Sequence, residues 1–524
     1  MAATKTFSLE KFSRDFMGLS RSDSVFTLSG SEEQRRRVYL DTTATSLMPR
    51  QVWQGLEAYL DAASANSHTY VHRAGRDTTY AIEESRDAIG RLVSYDPEKD
   101  VVLFTSNGAT GAVNFLARAL FPPELRSVIK RFPGGAPKQF VDSLKAVLST
   151  PAVEAVDELI ARPLIVTTRM EHHSNLLPWF EAVGRDNVRI VETMEDGSLD
   201  FEQLRSIMAK EGDRVRLVAV IGLSNVTGIP TPVHEIAKVA HKYGAQIMVD
   251  GAQWVPHTRV EMHPKDDKEA CIDYLVLSGH KLYAPGSRGA LIGCLETLSC
   301  RRCVSDVGGG MVEFVTMEDF QLKDEVTARE EAGTPNILGS IAMGLVAELL
   351  MSVGMDKIAE AEHSLTSKLL SELNDIEEVK VYGDADLDSV PRAGVVSFNV
   401  GDLPHGLVAA YLDEYHNIAV RNGCFCAQPY IQRLLGLTDS QADQCAEETS
   451  VGDKSKIPGM VRASLGVYTT EEDVKELGRA LRDLIANQAE VKKLYEVNRD
   501  GVYVRLDGKT SPKTFSIADF LKAS

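Results

Sequence analysis

The segments QIMVDGAQ (residues 246–253) and DYLVLSGHK (residues 273–281) decide the fold class, because each is a short apolar run that ends abruptly in polar residues. A strand that is apolar at nearly every position is buried on both faces, as in a parallel sheet covered by helices. Asp250 ends the first run, and His280 and Lys281 follow the second. Since ligands bind at the carboxyl ends of parallel strands, we expect this acid and this lysine to face one crevice.

Similar apolar runs alternate with amphipathic helical patterns from residue 39 to about residue 293, which is typical of an α/β domain. Three further strands are predicted there, at VVLF (101–104), LIVTT (164–168) and VRLVAVIGL (215–223). After Pro335 the pattern is richer in helix, with strands predicted at VKVYG (379–383), GVVSFNV (394–400), IAVRNG (418–423) and RASLGVY (462–468). The sequence therefore predicts a large α/β domain with a mostly parallel sheet and a smaller α+β domain.

With 524 residues, the chain exceeds the usual size of one domain. We predict an N-terminal extension that packs with the small domain (1–38), a large domain (39–336), a small domain (337–486) and a C-terminal extension (487–524). Residues 121–162, which contain RFPGGAP, and the polar, acidic residues 438–459 resemble insertions. A hairpin is predicted in the C-terminal extension, around VYVRLDGK (502–509).

Composition narrows the class of protein. The net charge of −18 argues against nucleic acid as a partner, because affinity for phosphate backbones rests on Lys and Arg. The sequence contains no apolar run long enough to span a bilayer, so we expect no membrane partner and a cytoplasmic protein. Residues 1–30 are rich in Ser, Lys, Arg and Phe, as in an organelle transit peptide, but Glu10, Asp15 and Asp23 argue against that interpretation.

The 7 cysteines are an odd number in a chain without a secretory signal, which favours reduced thiols over a disulfide framework. Cys300 with Cys303 and Cys424 with Cys426 form two close pairs. Their spacings, CRRC and CFC, do not repeat the two-residue spacing of structural zinc sites. We therefore predict no metal site.

Lys281 and Asp250 each have an ordinary interpretation, as a solvated charge and as a turn or helix cap. Lys281, however, lies between SGH and LYAPG, a sequence typical of a buried turn. A lysine that forms a Schiff base and a carboxylate that pairs with a pyridinium nitrogen are the two groups that a pyridoxal cofactor uses. The pair therefore indicates pyridoxal 5'-phosphate.

A phosphate site is predicted in FTSNGATGAVN (104–114), which has the form of a strand end, a glycine-containing turn and a helix start. Backbone N–H groups and the helix dipole bind phosphate at such a helix N-terminus, where Ala109 and Thr110 would lie. Short glycine turns of this kind are common, so the signal is weak without the lysine and the aspartate.

Eight motifs resemble the class V aminotransferase family of fold-type I pyridoxal-phosphate enzymes, and within it the group II cysteine desulfurases. The resemblance covers most of residues 39–485. The motifs are VHRAG (71–75), MEHHSNLLPW (170–179), LSNVTG (223–228), VDGAQ (249–253), SGHKLYAPG (278–286), EAGTPN (331–336), VRNGCFCAQP (420–429) and VRASLGVY (461–468).

The resemblance implies roles around the cofactor ring. Lys281 matches the lysine that binds the cofactor covalently, Asp250 the partner of the pyridinium nitrogen, and Gln253 a donor to the phenolate oxygen. His172 matches the imidazole that stacks on the ring, although a lone histidine is more often a structural residue.

The resemblance also implies phosphate ligands. Thr110, Ser278 and His280 match residues that bind the cofactor phosphate. Thr334 matches a residue that reaches the phosphate of a neighbouring subunit. A homodimer with shared active sites is therefore expected.

Substrate recognition is implied in the small domain. Arg462 matches the arginine that binds the substrate carboxylate, which suits a guanidinium because it forms two parallel hydrogen bonds to a carboxylate. Asn225 and Arg421 match supporting residues of the pocket, and for either one a structural hydrogen-bonding role is equally compatible with its chemistry.

Cys426 matches the nucleophilic cysteine of the group II segment Arg-x-Gly-His-His-Cys-Ala. Here the segment reads RNGCFCA, with Cys424 and Phe425 in place of the two histidines. That departure resembles the corresponding segment of molybdenum-cofactor sulfurases and leaves the sulfur acceptor open.

The expected activity is that of a cysteine desulfurase, which takes L-cysteine to L-alanine with a persulfide on Cys426 and passes the sulfur to an acceptor protein. One alternative is another class V reaction, that of an aminotransferase, an epimerase or a selenocysteine lyase, in which Cys426 is a buried residue and not the nucleophile. A second alternative is a non-catalytic scaffold that uses the insertions to bind a sulfur-accepting protein.

Overall fold

The computed structural model describes residues 8–121, 126, 130–131, 141–143, 162–299, 306–384, 387 and 392–523. Most of the predicted insertion at 121–162 and both cysteines of the CRRC pair lie outside these residues. The chain divides into two compact units. The first comprises Met1–Leu9, Met48–Asn225 and Ile229–Ala359, and the second Glu10–Leu47, Val226–Gly228 and Glu360–Ser524.

The first unit is built on a seven-stranded sheet. All neighbouring strands are parallel except Gly289–Cys294, which runs antiparallel to both of its neighbours. This arrangement confirms the predicted α/β class with a mostly parallel sheet. In spatial order the strands are Asp100–Thr105, Gly289–Cys294, Tyr274–Ser278, Gln246–Asp250, Val215–Ile221, Leu164–Thr168 and Val188–Val191.

Helices and short 3-10 turns connect these strands, and their apolar faces pack with the sheet into a core that contains the buried Trp179 and Phe121. An antiparallel hairpin, Val312–Val315 with Phe320–Leu322, follows the sheet. Among the described residues of this unit, the α-helices include Arg50–Ala62, Arg73–Leu92, Gly108–Leu120, Leu177–Val183, Phe201–Glu211, Val233–Lys242, Leu295–Leu298, Val326–Glu330 and Ile337–Val353. The 3-10 turns are His173–Asn175, Arg185–Asn187, Gly212–Arg214 and Lys268–Ala270.

The boundary between the two units differs from the one drawn at residue 336 from the sequence. Helix Ile337–Val353 packs against Arg73–Leu92 and Arg50–Ala62, so it belongs to the first unit. The division falls at Ala359, inside the next helix, Met355–Asn374.

The second unit contains a four-stranded antiparallel sheet. Its strands, in order, are Val379–Tyr382, Val395–Val400, Met460–Ser464 and Arg421–Gly423. Its further helices are Leu9–Arg14, His405–His416, Gln428–Leu435, Asp439–Ser450, Glu471–Ala486, Gln488–Leu494 and Ile517–Ala523. Helix Asp439–Ser450 forms much of the predicted insertion at 438–459.

Two predicted strands of this unit have different bounds. The segment 418–423 is split: Ile418–Ala419 pairs in parallel with Val38–Tyr39, and only Arg421–Gly423 joins the four-stranded sheet. The strand expected at 462–468 ends at Ser464, because the chain turns there and Thr469 N donates to Gly466 O at 2.9 Å.

The N-terminal residues and the C-terminal residues each add a hairpin. Ser22–Phe26 pairs with Glu32–Arg36, and residues 10–47 belong to the second unit. At the other end Tyr495–Val497 pairs with Tyr503–Arg505, so the C-terminal hairpin begins earlier than the segment 502–509 in which it was predicted. Across the described residues no single helix has the length and apolarity needed to cross a bilayer, and one sharply bent pair, Ile337–Val353 with Met355–Asn374, meets the criterion by length and composition alone.

Candidate active site

Asp250 and Lys281 follow neighbouring parallel strands of the first unit. Asp250 is aligned with Val276, and Gly251 N donates to Val276 O at 2.8 Å. Lys281 N donates to Ser278 O at 3.1 Å, which closes the turn after the second strand. Burial raises the pKa of Asp250, and the charge of Lys281 opposes that shift. The predicted acid and lysine therefore interact at one edge of the sheet.

The helix Gly108–Leu120 begins against the same strand end as Lys281. Ala109 N donates to Ser278 Oγ at 2.8 Å. Gly108 has a φ of 64°, and a Cβ atom on it would lie 2.8 Å from Ser278 Oγ and 3.8 Å from His280 Cδ2. Only glycine allows this approach without displacing Ser278. A helix N-terminus next to a hydroxyl and an imidazole forms a site with the donors that a phosphate requires.

A chain of hydrogen bonds connects Thr110 with His172. Thr110 Oγ1 lies 2.6 Å from Ser174 Oγ, which lies 3.0 Å from His172 Nδ1. Ser174 N donates to His172 Nδ1 at 3.1 Å. Because Nδ1 accepts this N–H, the proton of the neutral imidazole resides on Nε2. The predicted phosphate ligand and the predicted stacking histidine are thus held in one network.

Glu171 is a buried acid that is not among the site residues predicted from the sequence. Its Oε1 accepts hydrogen bonds from Thr168 Oγ1 at 2.7 Å and from Ile221 N at 2.9 Å, and its Oε2 accepts one from Asn175 Nδ2 at 2.6 Å. Burial raises the pKa of Glu171 to about 8, and the nearby charge of Asp250 contributes to the increase. The signal in the sequence was an acid directly before His172 and just after the strand LIVTT.

Asn225 and Gln253 occupy loops that follow strands Val215–Ile221 and Gln246–Asp250. Both residues are buried, with 3% and 2% of their surface exposed. The structure therefore places both predicted ligands beyond the carboxyl ends of sheet strands, as expected for groups that bind a cofactor or substrate.

Thr334 is exposed, and its Oγ1 lies 3.4 Å from Asn66 Nδ2. The segment that carries it is anchored by the buried Glu331, which accepts hydrogen bonds from Arg86 Nη1 at 2.7 Å and from Phe104 N at 2.8 Å. The role of Thr334 toward a second subunit stays a prediction.

Arg462 and Arg421 belong to the second unit, where they lie directly opposite each other on adjacent antiparallel strands. Arg462 is buried, whereas Arg421 is exposed. Asp41 Oδ1 lies 3.5 Å from Arg462 Nη2. Burial lowers the pKa of Arg462 to about 10, so its guanidinium remains charged at neutral pH and is able to bind a carboxylate.

The two cysteines of the CFC segment differ in exposure. Cys426 is exposed and Cys424 is half-buried. Phe425 and Cys426 have φ values of 50° and 55°, and Ala427 N donates to Cys424 O at 2.8 Å, so the segment forms a tight left-handed turn. Burial raises the pKa of Cys424, which favours its protonated thiol. The turn therefore exposes Cys426 to solvent more than Cys424.

The residues of the first unit fit pyridoxal 5'-phosphate. Lys281 offers the amine, the buried Asp250 offers the carboxylate, and the helix that begins at Gly108 offers backbone N–H groups. Within the described part of the chain no group of three or more His, Cys, Asp or Glu side chains has an arrangement that holds a metal. Cys300 and Cys303 lie outside that part.

Comparisons with known proteins agree with this arrangement. The family model for aminotransferase class-V matches residues 38–129 and 148–477. A probable cysteine desulfurase of Halalkalibacterium halodurans is 30% identical over 447 residues, which cover 85% of this chain and 92% of the relative. A cysteine desulfurase of Shigella sonnei is 29% identical over 479 residues, covering 91% of this chain and 98% of the relative.

Solved structures show the same likeness. The apo structure of a cysteine desulfurase from Thermococcus onnurineus superimposes with a TM-score of 0.67 and 30% identity, over 86% of this chain and 95% of that one. The match of the family model to most of the chain, together with a lysine and a buried aspartate at adjacent strand ends, shows that this chain belongs to the class V aminotransferase family.

Proposed function

We propose that this protein is a pyridoxal-phosphate-dependent cysteine desulfurase, which converts L-cysteine to L-alanine and transfers the sulfur to Cys426. The observation that carries this proposal is the exposed thiol of Cys426 in a turn whose Phe425 ring contacts the buried Arg462. A desulfurase needs both groups, a thiol to accept sulfur and a cation to bind the substrate carboxylate. The desulfurase relatives, which match most of the chain, support the same activity.

Class V aminotransferases and cysteine desulfurases are pyridoxal-phosphate enzymes, and the first unit supplies matching residues. When bound, the cofactor provides an electron sink for the carbanion formed at the substrate Cα. Lys281 Nζ would hold the cofactor covalently and would move the Cα proton of the substrate. Asp250 would keep the pyridine nitrogen protonated, since its carboxylate lies in a buried site where its charge is weakly screened.

Other residues of the first unit bind and orient the cofactor. Gln253 would donate to the phenolate oxygen. The His172 imidazole, which is held by Ser174, would pack on the ring. Asn225 would support the ring and the substrate from the buried loop after its strand. The residues that would bind the phosphate lie around the start of helix Gly108–Leu120: Ala109, Thr110, Ser278 and His280.

The sulfur transfer proceeds through residues of the second unit. Arg462 binds the substrate carboxylate through two parallel hydrogen bonds, with Arg421 beside it. The Cys426 thiolate attacks the substrate sulfur, so that a sulfur–sulfur bond forms and the bond between Cβ and sulfur breaks. The electron pair of the broken bond returns to carbon, which is protonated and leaves as alanine. A persulfide remains on Cys426.

Two partners belong to this proposal. Thr334, which is exposed, would bind the cofactor phosphate of a second subunit, and the active enzyme would then be a homodimer with shared sites. A sulfur-acceptor protein takes the persulfide sulfur from Cys426, whose exposure allows a second protein to reach it.

The test is incubation of the purified holoenzyme with L-cysteine, followed by amino-acid analysis and mass spectrometry of peptides. The proposal requires alanine in amounts equal to the transferred sulfur and a mass increase of one sulfur atom on Cys426. Turnover of cysteine without alanine, or alanine without any persulfide or sulfide, would favour another class V reaction, such as that of an aminotransferase or an epimerase. Faster turnover of selenocysteine, with no persulfide formed from cysteine, would identify a selenocysteine lyase.

A further inference from the structure

Three charged side chains form a cluster in the second unit. Arg421 and Arg462 are direct partners in the register of two antiparallel strands. Asp41 Oδ1 lies 3.5 Å from Arg462 Nη2. The side chains of Arg462 and Asp41 are only 4% and 16% exposed, so their charges are weakly screened. The cluster thus combines two cations and one anion and carries a net charge of +1.

Each member of the cluster acts on the others. The charge of Asp41 stabilises the guanidinium of Arg462, whereas the charge of Arg421 destabilises it. Burial raises the pKa of Asp41, and both arginines oppose that shift by stabilising its carboxylate. Asp41 therefore offsets the repulsion between two cations that the strand register forces together.

The backbone fixes Asp41 in this position. Ser464 N donates to Leu40 O at 2.8 Å, and Thr43 N donates to Ser464 Oγ at 2.9 Å. Ser464 lies two positions after Arg462 on the same strand, so these bonds attach the Asp41 segment to that strand. They hold the backbone on either side of Asp41 next to the strand that carries Arg462.

We propose that Asp41 determines substrate specificity: by neutralising one of the two guanidinium groups, it restricts the site to amino acids with one negative group. This inference rests on the proposed function, in which Arg462 binds the carboxylate of L-cysteine. A net charge of +1 matches the single carboxylate of L-cysteine. An amino acid with an acidic side chain brings a second negative charge, which Asp41 repels and which finds no further cation in the cluster.

The second negative group would lie near the cluster, because the substrate side chain must reach Cys426. The Cys426 thiol is close enough to Arg462 for its ionised form to interact with the guanidinium. A carboxylate at the end of a substrate side chain would therefore experience the field of Asp41 as well.

The test measures the binding of two ligands that lack an amine and therefore cannot form a Schiff base with the cofactor. Isothermal titration of the holoenzyme compares 3-mercaptopropionate, with one negative charge, and succinate, with two. In Asp41→Asn the dissociation constant of succinate should fall about tenfold relative to that of 3-mercaptopropionate. This is the effect of one charge at this distance in a partly screened site. Asp402→Asn, an exposed position of the same unit, changes the net charge equally and should leave the ratio of the two dissociation constants unchanged.

A second variant tests the charge balance in the opposite direction. Arg421→Gln removes one cation, so the dissociation constant of succinate should rise relative to that of 3-mercaptopropionate. An unchanged ratio in a folded Asp41→Asn protein, or an equal shift in Asp402→Asn, would overturn the inference. If Asp41→Asn does not fold, the Arg421→Gln result decides, and a ratio equal to that of the wild type overturns the inference. Absence of alanine formation by the wild type would instead contradict the proposed function. The two outcomes are distinguishable because ligand binding is measured without turnover.

Discussion

The ring of Phe425 lies 4.6 Å from the guanidinium carbon of Arg462. This contact pairs the residue before the proposed nucleophile with the residue proposed to bind the substrate carboxylate. A guanidinium over an aromatic face gains about 0.5–2 kcal/mol, depending on how far it is removed from water. Phe425 occupies a position where group II desulfurases have histidine, so here an aromatic surface takes the place of a group that can exchange protons.

Arg462→Ala should weaken substrate capture and leave the covalent cofactor link intact, because the guanidinium is assigned to the substrate. Because the substrate carboxylate then loses its charged partner, kcat/KM should fall at least about a hundredfold, mainly through a higher KM. Phe425→Leu, which keeps an apolar side chain but loses the aromatic face, should raise KM by no more than about tenfold. Steady-state kinetics and the visible absorbance of the bound cofactor measure both effects. Loss of the cofactor absorbance in Arg462→Ala would contradict the assignment.

Lys281→Ala should abolish both turnover and the covalent attachment of the cofactor, because the Schiff base requires its amine. Borohydride reduction of the wild-type holoenzyme, followed by peptide mapping, should place the label on Lys281. Lys242→Ala, a change near the end of a helix in the same unit, should keep the label and the activity. A label on any lysine other than 281 would overturn the assignment.

Glu171→Gln should change how stability depends on pH. Because the pKa of Glu171 is raised from 4.5 to about 8, the folded protein retains a proton that the unfolded chain releases at lower pH. This contribution to stability is fully present below pH 4.5 and is lost as the pH rises to about 8. The amide of the variant does not titrate in this range. The melting temperature of the wild type should therefore fall more between about pH 5 and about pH 8 than that of Glu171→Gln.

Glu202→Gln is the control for this experiment, since Glu202 is 79% exposed on a surface helix of the same unit. Its melting temperature should follow that of the wild type at every pH. Parallel pH profiles of wild type and Glu171→Gln would mean that Glu171 is ionised throughout, stabilised by its three hydrogen-bond donors.

The large sheet and the residues at the carboxyl ends of its strands could be predicted from the sequence, because strands buried on both faces have a distinctive composition. The runs that end at Asp250 and precede Lys281 became adjacent parallel strands, so the two residues that indicated the cofactor meet. Polar residues at the ends of such runs lie where parallel sheets bind their ligands.

Glu171 and Asp41 could not be assigned in the same way. Glu171 accepts a hydrogen bond from Ile221 N, 50 positions away, and an acid after a strand ordinarily indicates a turn or a cap. Asp41 acquires its role only through the pairing of Arg421 with Arg462, which depends on strand register. Contacts of this kind come from tertiary structure, and no local pattern contains them.

Cys426→Ser and Cys424→Ser should separate the roles of the two thiols. Cys426→Ser is expected to retain the cofactor and bind cysteine but to release no alanine, because a serine hydroxyl is a poor nucleophile toward sulfur. Cys424→Ser should keep substantial activity, since Cys424 is half-buried and burial raises its pKa, so little thiolate is present at neutral pH. Cys424 has one further role to test, resolution of the persulfide as a disulfide with release of sulfide, which would appear as a requirement for reductant that the Cys424 variant loses.

Alkylation of the wild type gives an independent measurement of the same difference. Iodoacetamide should modify the exposed Cys426 before Cys424, and activity should fall in step with modification of Cys426 as followed by peptide mass spectrometry. Cys445, which lies half-buried in helix Asp439–Ser450, serves as an internal reference whose modification should not correlate with the loss of activity. Alanine and sulfide formation by Cys426→Ser at nearly the wild-type rate would show that the nucleophile is misassigned. The other class V reactions would then be the better account of this site.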